Sequence, residues 1–225
     1  MSLKNACYIS YRHGQFELMQ EFIADFRIAL CCELEPILHS RSVYLDRERL
    51  SGGEFYDHSL AQNLYESATM VLIYTPTYFD AANPYCAREY SAMLVLERER
   101  LDRLLACGSA VNHGLIIPVV LRGCRYLPNE IKERRQYYNF EDFQLGGRRL
   151  SRHPRFAPVI RQIATYICER YEELLRLPDE TFRNGALFEL PGEADVARLL
   201  AAAAVFRPPF PRGDISCAQA LSAVL

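Results

Sequence analysis

The chain has no tryptophan, only Lys4 and Lys132 as lysines, no C-x-x-C pair and no long apolar run. Each shortage excludes something. A bilayer-crossing helix needs about 20 consecutive apolar residues, and none of the runs comes near that. The stretch Met1-Ser2-Leu3-Lys4-Asn5 has no apolar signal core either, so the expected location is cytoplasmic. Basic and acidic residues number 26 and 28, a net charge of −2. No global basic field is therefore offered to nucleic acid. The eight cysteines (Cys7, Cys31, Cys32, Cys86, Cys107, Cys124, Cys168 and Cys217) are spread out, several of them inside apolar patterns. There they read as small hydrophobes in a reducing compartment, with neither a disulfide framework nor a zinc site. The five histidines show no metal-ligand spacing, and no metal or cofactor is expected.

What is present is alternation. Ala6–Ser10 reads as a buried strand ending at the polar Tyr11-Arg12-His13-Gly14. Gln15–Leu34 carries Leu18, Phe22, Phe26, Leu30 and Leu34 at four-residue spacing, a helix that Pro36 is expected to stop. Ser42–Leu45 is a second strand, followed by a polar loop to Gly53 and a helix over Phe55–Tyr65. Thr69–Tyr74 and Leu115–Leu121 are further strands, and Pro118 argues for an irregularity or a place near the sheet edge. Gln136–Phe140 is a weak fifth strand and Phe156–Leu177 a long closing helix. Such a chain builds an α/β fold: a flavodoxin-like, five-stranded parallel sheet of order 2-1-3-4-5 with helices on both faces. Residues 178–225, broken by Pro178, Pro191, Pro208, Pro209 and Pro211, form a short C-terminal appendage with helices expected over Glu193–Phe206 and Ser216–Leu225.

Ligands of such sheets bind beyond the carboxyl ends of the strands, at the switch point between the first and third. The loops there are Ser10–Gly14 and Thr75–Pro84. Next comes Asn83-Pro84-Tyr85-Cys86-Ala87-Arg88-Glu89-Tyr90, read as a helix start with Asn83 as N-cap and Pro84 at the first helical position. Cys86, Tyr90, Met93 and Leu94 give that helix an apolar face. Tyr85 and Glu89, one turn apart, put a ring and a carboxylate beside the core. An acidic residue early in a helix is ordinarily there for the macrodipole. The run Glu97-Arg98-Glu99-Arg100 reads as a solvated, internally paired face.

Three motifs stand in order: Ile9-Ser10-Tyr11-Arg12, Val43 through Phe55 with Asp46 and Gly52-Gly53, and Tyr85-Cys86-Ala87-Arg88-Glu89. Together they resemble a Toll/interleukin-1 receptor (TIR) domain, most of all bacterial ones and the NAD-cleaving TIR domain of axon degeneration. The resemblance covers roughly residues 6–177, so 1–177 is the expected TIR domain. It implies that Glu89 is catalytic, in an aromatic-x-x-x-Glu pattern where Tyr85 stands in place of the more usual Trp. It also implies an NAD glycohydrolase giving nicotinamide and ADP-ribose or a cyclic ADP-ribose, acting in bacterial antiphage immunity. Self-association through the Asp46–Glu54 loop, and other TIR or sensor proteins as partners, follow from the same resemblance. Ser10, Tyr11, Arg12, Asp46, Phe55 and Tyr85 are the expected substrate-binding residues: Tyr85 faces nicotinamide, Arg12 the pyrophosphate, and Phe55 the base or ribose. The bland readings are Phe55 as a core residue, Asp46 as a loop organiser, and Arg12 as a partner of Asp46. The rival for the whole chain is a non-catalytic TIR–TIR adaptor. A monomer is expected to hold its carboxylate in a half-built, water-filled site.

Overall fold

The computed structural model describes residues 3–13, 17–38, 42–45, 56–143, 150, 153–178, 182 and 188–204. Strand β1 (Asn5–Tyr11) lies inside the sheet, with β2 (Ser42–Leu45) on one side and β3 (Ser67–Tyr74), β4 (Ile116–Val120) and β5 (Tyr138–Asn139) on the other. All pairings are parallel, giving the order 2-1-3-4-5. β1 and β3 are buried along their whole length. That is why they read as continuous apolar runs instead of alternating ones.

Helices α1 (Glu17–Leu38) and α5 (Phe156–Leu175) pack on one face. Helices α2 (Tyr56–Tyr65) and α3 (Tyr85–Ala106) cover the other. Phe22, Phe26, Leu30 and Leu34 are buried as their spacing requires. Pro36, however, does not stop α1, which runs two residues past it. A proline in the final turn deprives only the carbonyl four residues earlier, that of exposed Cys32, where water can substitute.

The edge beyond β4 is thin. β5 has two residues, and the short helix α4 (Asn129–Arg134) precedes it. Leu115 accepts from Met70 of β3, while Val120 accepts from Phe140 on the outer side. Even-numbered residues of β4 therefore point outward, so Pro118 lacks its donor where no ladder bond is needed.

The charged run after α3's midpoint is only half solvated: Arg98 and Glu99 are exposed, Glu97 and Arg100 are not. Glu97 is 7 % exposed and Arg100 3 %. The three-residue spacing puts both on the stripe of Met93, Leu96 and Leu104, all buried. Glu97 takes Arg135 in a two-bond pair at 2.8 and 2.5 Å, and accepts the backbone N–H groups of Leu115 at 2.5 Å and Ile116 at 3.1 Å. Burial lowers the Arg135 guanidinium's pKa, but the bond and charge of Glu97 outweigh this and raise it above its ordinary value. Arg100 donates to the carbonyls of Tyr65, Ser67 and Ala68 at 2.6, 2.7 and 3.2 Å. A cation thus meets the carboxyl end of α2, where the helix dipole favours it, although burial lowers its pKa to about 10.

Helix α6 (Glu193–Ala204) lies against α3, with Val196 and Ala203 buried. The expected continuation to Phe206, and residues 216–225, lie outside the described residues. Among the described residues no helix is long and apolar enough to cross a membrane.

Candidate functional site

Successive residues of a strand face opposite sides. Tyr8 and Ser10, two apart on β1, therefore share the face that α3 covers. Both meet Glu89. The Tyr8 hydroxyl donates to Glu89 Oε1 at 2.8 Å and the Ser10 hydroxyl to Oε2 at 2.6 Å. Ser10 Oγ also lies 2.5 Å from the Tyr78 hydroxyl. Serine has one hydrogen, already committed to Glu89, so Tyr78 is the donor of that bond. Burial first, then the charges of Cys86 and Glu89, push the Tyr78 phenol well above its usual pKa, so it keeps the proton it donates. The result is a directed relay, Tyr78 to Ser10 to Glu89, with Tyr8 closing the other oxygen.

The carboxylate is only 2 % exposed. The expectation of a solvated, screened carboxylate in the monomer is thus corrected. α3 packs against β1, and Tyr8 and Tyr78, both fully buried, lie beside the carboxylate. Hydroxyl bonds to a carboxylate are short and strong because one partner is charged, so Glu89 has a fixed orientation.

The helix start also differs from the sequence reading. α3 begins at Tyr85, with Pro84 as N-cap and no side-chain cap bond. The Pro84 carbonyl accepts the Arg88 N–H, which is the N-cap's part, and Asn83 instead donates its backbone N–H to Asp80. Asp80 Oδ1 accepts the Ala82 N–H, folding the turn before the helix.

Tyr85 is 49 % exposed on the first turn of α3, four residues before Glu89. Arg12 leaves the end of β1, half-buried, with Nη2 3.5 Å from Asp80 Oδ2. Its charge reaches the Cys86 thiol, which burial and Glu89 nonetheless hold well above its usual pKa. The Cys86 thiol donates to the Tyr11 carbonyl at 3.4 Å. Arg88, next to Glu89, makes a two-bond pair with Asp57 at 2.9 and 3.0 Å, tying α3 to α2.

Ser10, Arg12, Tyr85 and Glu89 are therefore at one sheet edge, as expected. Tyr11 is different. By alternation it falls on the face opposite Tyr8 and Ser10, and its buried ring stacks on His13 at 4.5 Å. Asp46 and Phe55, with the Asp46–Glu54 loop, lie outside the described residues. Tyr8 and Tyr78 were missed. Tyr8 was discoverable, because the two-residue strand period pairs it with Ser10. Tyr78 sits in a turn, where no periodicity identifies a partner.

Among the described residues no cluster of His, Cys, Asp and Glu could hold a metal ion. The arrangement offers one oriented carboxylate, a ring one turn before it and a guanidinium at the neighbouring loop. Compared with known proteins, the chain matches no family model and no curated sequence.

Proposed function

We propose that the chain is an NAD-cleaving TIR domain whose Glu89 stabilises the reacting ribosyl centre. The observation that carries the proposal is the Glu89 carboxylate held by Tyr8 and Ser10 at the carboxyl edge of β1, one turn from the exposed ring of Tyr85. In the reaction the bond from ribose C1′ to the nicotinamide nitrogen breaks, and its electron pair neutralises the ring. Water adds to C1′ and loses a proton, giving ADP-ribose. Attack by the adenine ring in place of water gives the cyclic product. The leaving group is cationic in the substrate, so no general acid is required. One fixed negative charge beside the oxocarbenium-like transition state supplies the electrostatic stabilisation.

Tyr85 offers nicotinamide a flat face, and Arg12 offers the pyrophosphate a planar fork. Substrate reaches a buried carboxylate by displacing one hydroxyl; Ser10, the smaller of the two groups and the nearer to the carboxyl end of β1, is the one to yield. Bacterial antiphage defence as the setting, and assembly through the Asp46–Glu54 loop, rest on the motif resemblance alone. A second reading, a TIR adaptor without catalysis, is favoured by the near-complete burial of Glu89.

The deciding experiment incubates the protein with NAD over a range of protein concentrations and identifies products by mass. Nicotinamide in equal amount to ADP-ribose or its cyclic form supports the enzyme. Intact NAD at every concentration, including those at which light scattering reports assembly, supports the adaptor. A ring-stacking role makes a further prediction: Tyr85→Ala weakens both KM and kcat, while Tyr85→Trp retains or improves both. Steady-state kinetics would show it; equal losses in the two variants would mean that Tyr85 acts by packing, where any change of volume hurts.

A further inference from the structure

At the opposite end of β4 from Glu89 lies a cleft of about 680 Å³. It opens where β5 is too short to cover the sheet, between α3, α4 and the Tyr166 side of α5. Its size is that of an ordinary small-molecule site. Leu94, Leu101, Val111 and Ile117 supply an apolar floor, and the rings of Tyr138 and Tyr166 stand in its wall.

The charge in the cleft is unevenly committed. Arg135 is locked on Glu97. His113 is 2.9 Å from Glu173, and burial, then the charge of Arg170, lower its pKa. Arg98 and Arg134 are different: both line the cleft, and neither makes a hydrogen bond or ion pair among the described residues. Two uncommitted guanidiniums above an apolar, ring-walled floor complement an anion with a flat hydrophobic body. Glu130 also lines the cleft, so a single anionic group fits better than a polyanion.

A peptide strand does not fit. On the outer side of β4 the Ile116 N–H is taken by Glu97, Pro118 has none, and β5 begins opposite Val119. Strand addition depends on main-chain donors and acceptors in register, and the donors are missing.

We propose that this cleft is a second binding site, for a flat aromatic anion bearing one carboxylate or phosphate, with Arg98 and Arg134 holding the anionic group. The proposal does not depend on NAD cleavage. Glu97, on the cleft wall, is two turns along α3 from Glu89, about 12 Å by the helix rise.

The test is calorimetric titration of the whole chain with 2-naphthoate and with 1-naphthyl phosphate. Neutral 2-naphthol and inorganic phosphate are the controls. Saturable binding below ~1 mM by at least one naphthyl anion is expected, with both controls at least ~10-fold weaker. Comparison of the two probes tells carboxylate from phosphate recognition. The double variant Arg98→Glu/Arg134→Glu should weaken binding by ~10-fold or more through charge reversal, with the melting temperature nearly unchanged because both side chains are exposed. Glu89→Gln should leave binding as it is, which separates this site from the proposed NAD site. Absence of saturation, equal affinity for inorganic phosphate, or equal affinity of the double variant would each overturn the proposal.

Discussion

Replacing Glu89 with glutamine is expected to slow NAD cleavage by ~10²–10³-fold in a protein that remains folded, the cost typical of one lost electrostatic contact to a transition state. The substitution preserves volume and removes charge. It also places an amide N–H₂ where one carboxylate oxygen accepted a hydroxyl. Ser10 can adapt, since its hydroxyl both donates and accepts, and Tyr78 then turns its own hydrogen elsewhere. The stability cost should therefore stay near ~1 kcal/mol, that of an ordinary hydrogen bond. Nicotinamide release and thermal melting, measured on the same preparation, separate the two effects. A folded Glu89→Gln protein that cleaves NAD at the wild-type rate would refute the catalytic role and leave Glu89 as a helix-to-strand clamp.

The largest stability loss is expected at Glu97. Glu97→Ala strands a half-buried Arg135 and leaves the Leu115 and Ile116 N–H groups without their acceptor. Breaking a buried pair from one side costs ~3–5 kcal/mol, chiefly because the survivor's charge is uncompensated. At ~2–4 °C per kcal/mol for a chain of this size, the melting temperature should fall by ~6–20 °C. The double variant Glu97→Ala/Arg135→Ala should lose less than the sum of the singles, the signature of direct coupling. Gly114→Ala attacks the same cluster sterically: a Cβ there would sit 2.7 Å from Glu97 Oε1 and 2.9 Å from Arg135 Nη1. Its cost should be ~1–3 kcal/mol, the usual range for overpacking. A fall of under ~2 °C for Glu97→Ala would mean that the pair contributes nothing net.

The sheet order was readable because parallel, doubly covered strands leave a strong mark: unbroken apolar runs separated by helix-period segments. Pro118 added the position of the thin edge. Glu97 and Arg100 were misread because local spacing cannot tell a solvated i, i+3 pair from two groups aimed inward at different partners. Their partners, Arg135 and the carbonyls of Tyr65, Ser67 and Ala68, are 32 to 38 positions away. Helix α4 was missed for a simpler reason. Six residues give less than two turns of pattern, too little for a period to emerge. At the site, Glu89, Tyr85, Ser10 and Arg12 could be placed at one edge from topology alone. That the carboxylate would be enclosed by tyrosines could not, since enclosure depends on how tightly α3 settles on β1.

β1 sets a timetable. Its register partners in β3 begin with Asn5 opposite Ser67 and Cys7 opposite Thr69, and the Tyr8 hydroxyl finds its carboxylate 81 positions downstream. Nothing in this sheet pairs with a near neighbour in the chain, and closing such long loops precedes any reward from contact. During synthesis this strand therefore leaves the ribosome with no strand to rest on until β2, about 36 residues on, has followed, and its other neighbour, β3, comes some sixty residues after it. Its buried tyrosine waits longer still. The nascent chain is most adhesive during that interval, which is when a holding chaperone would matter most.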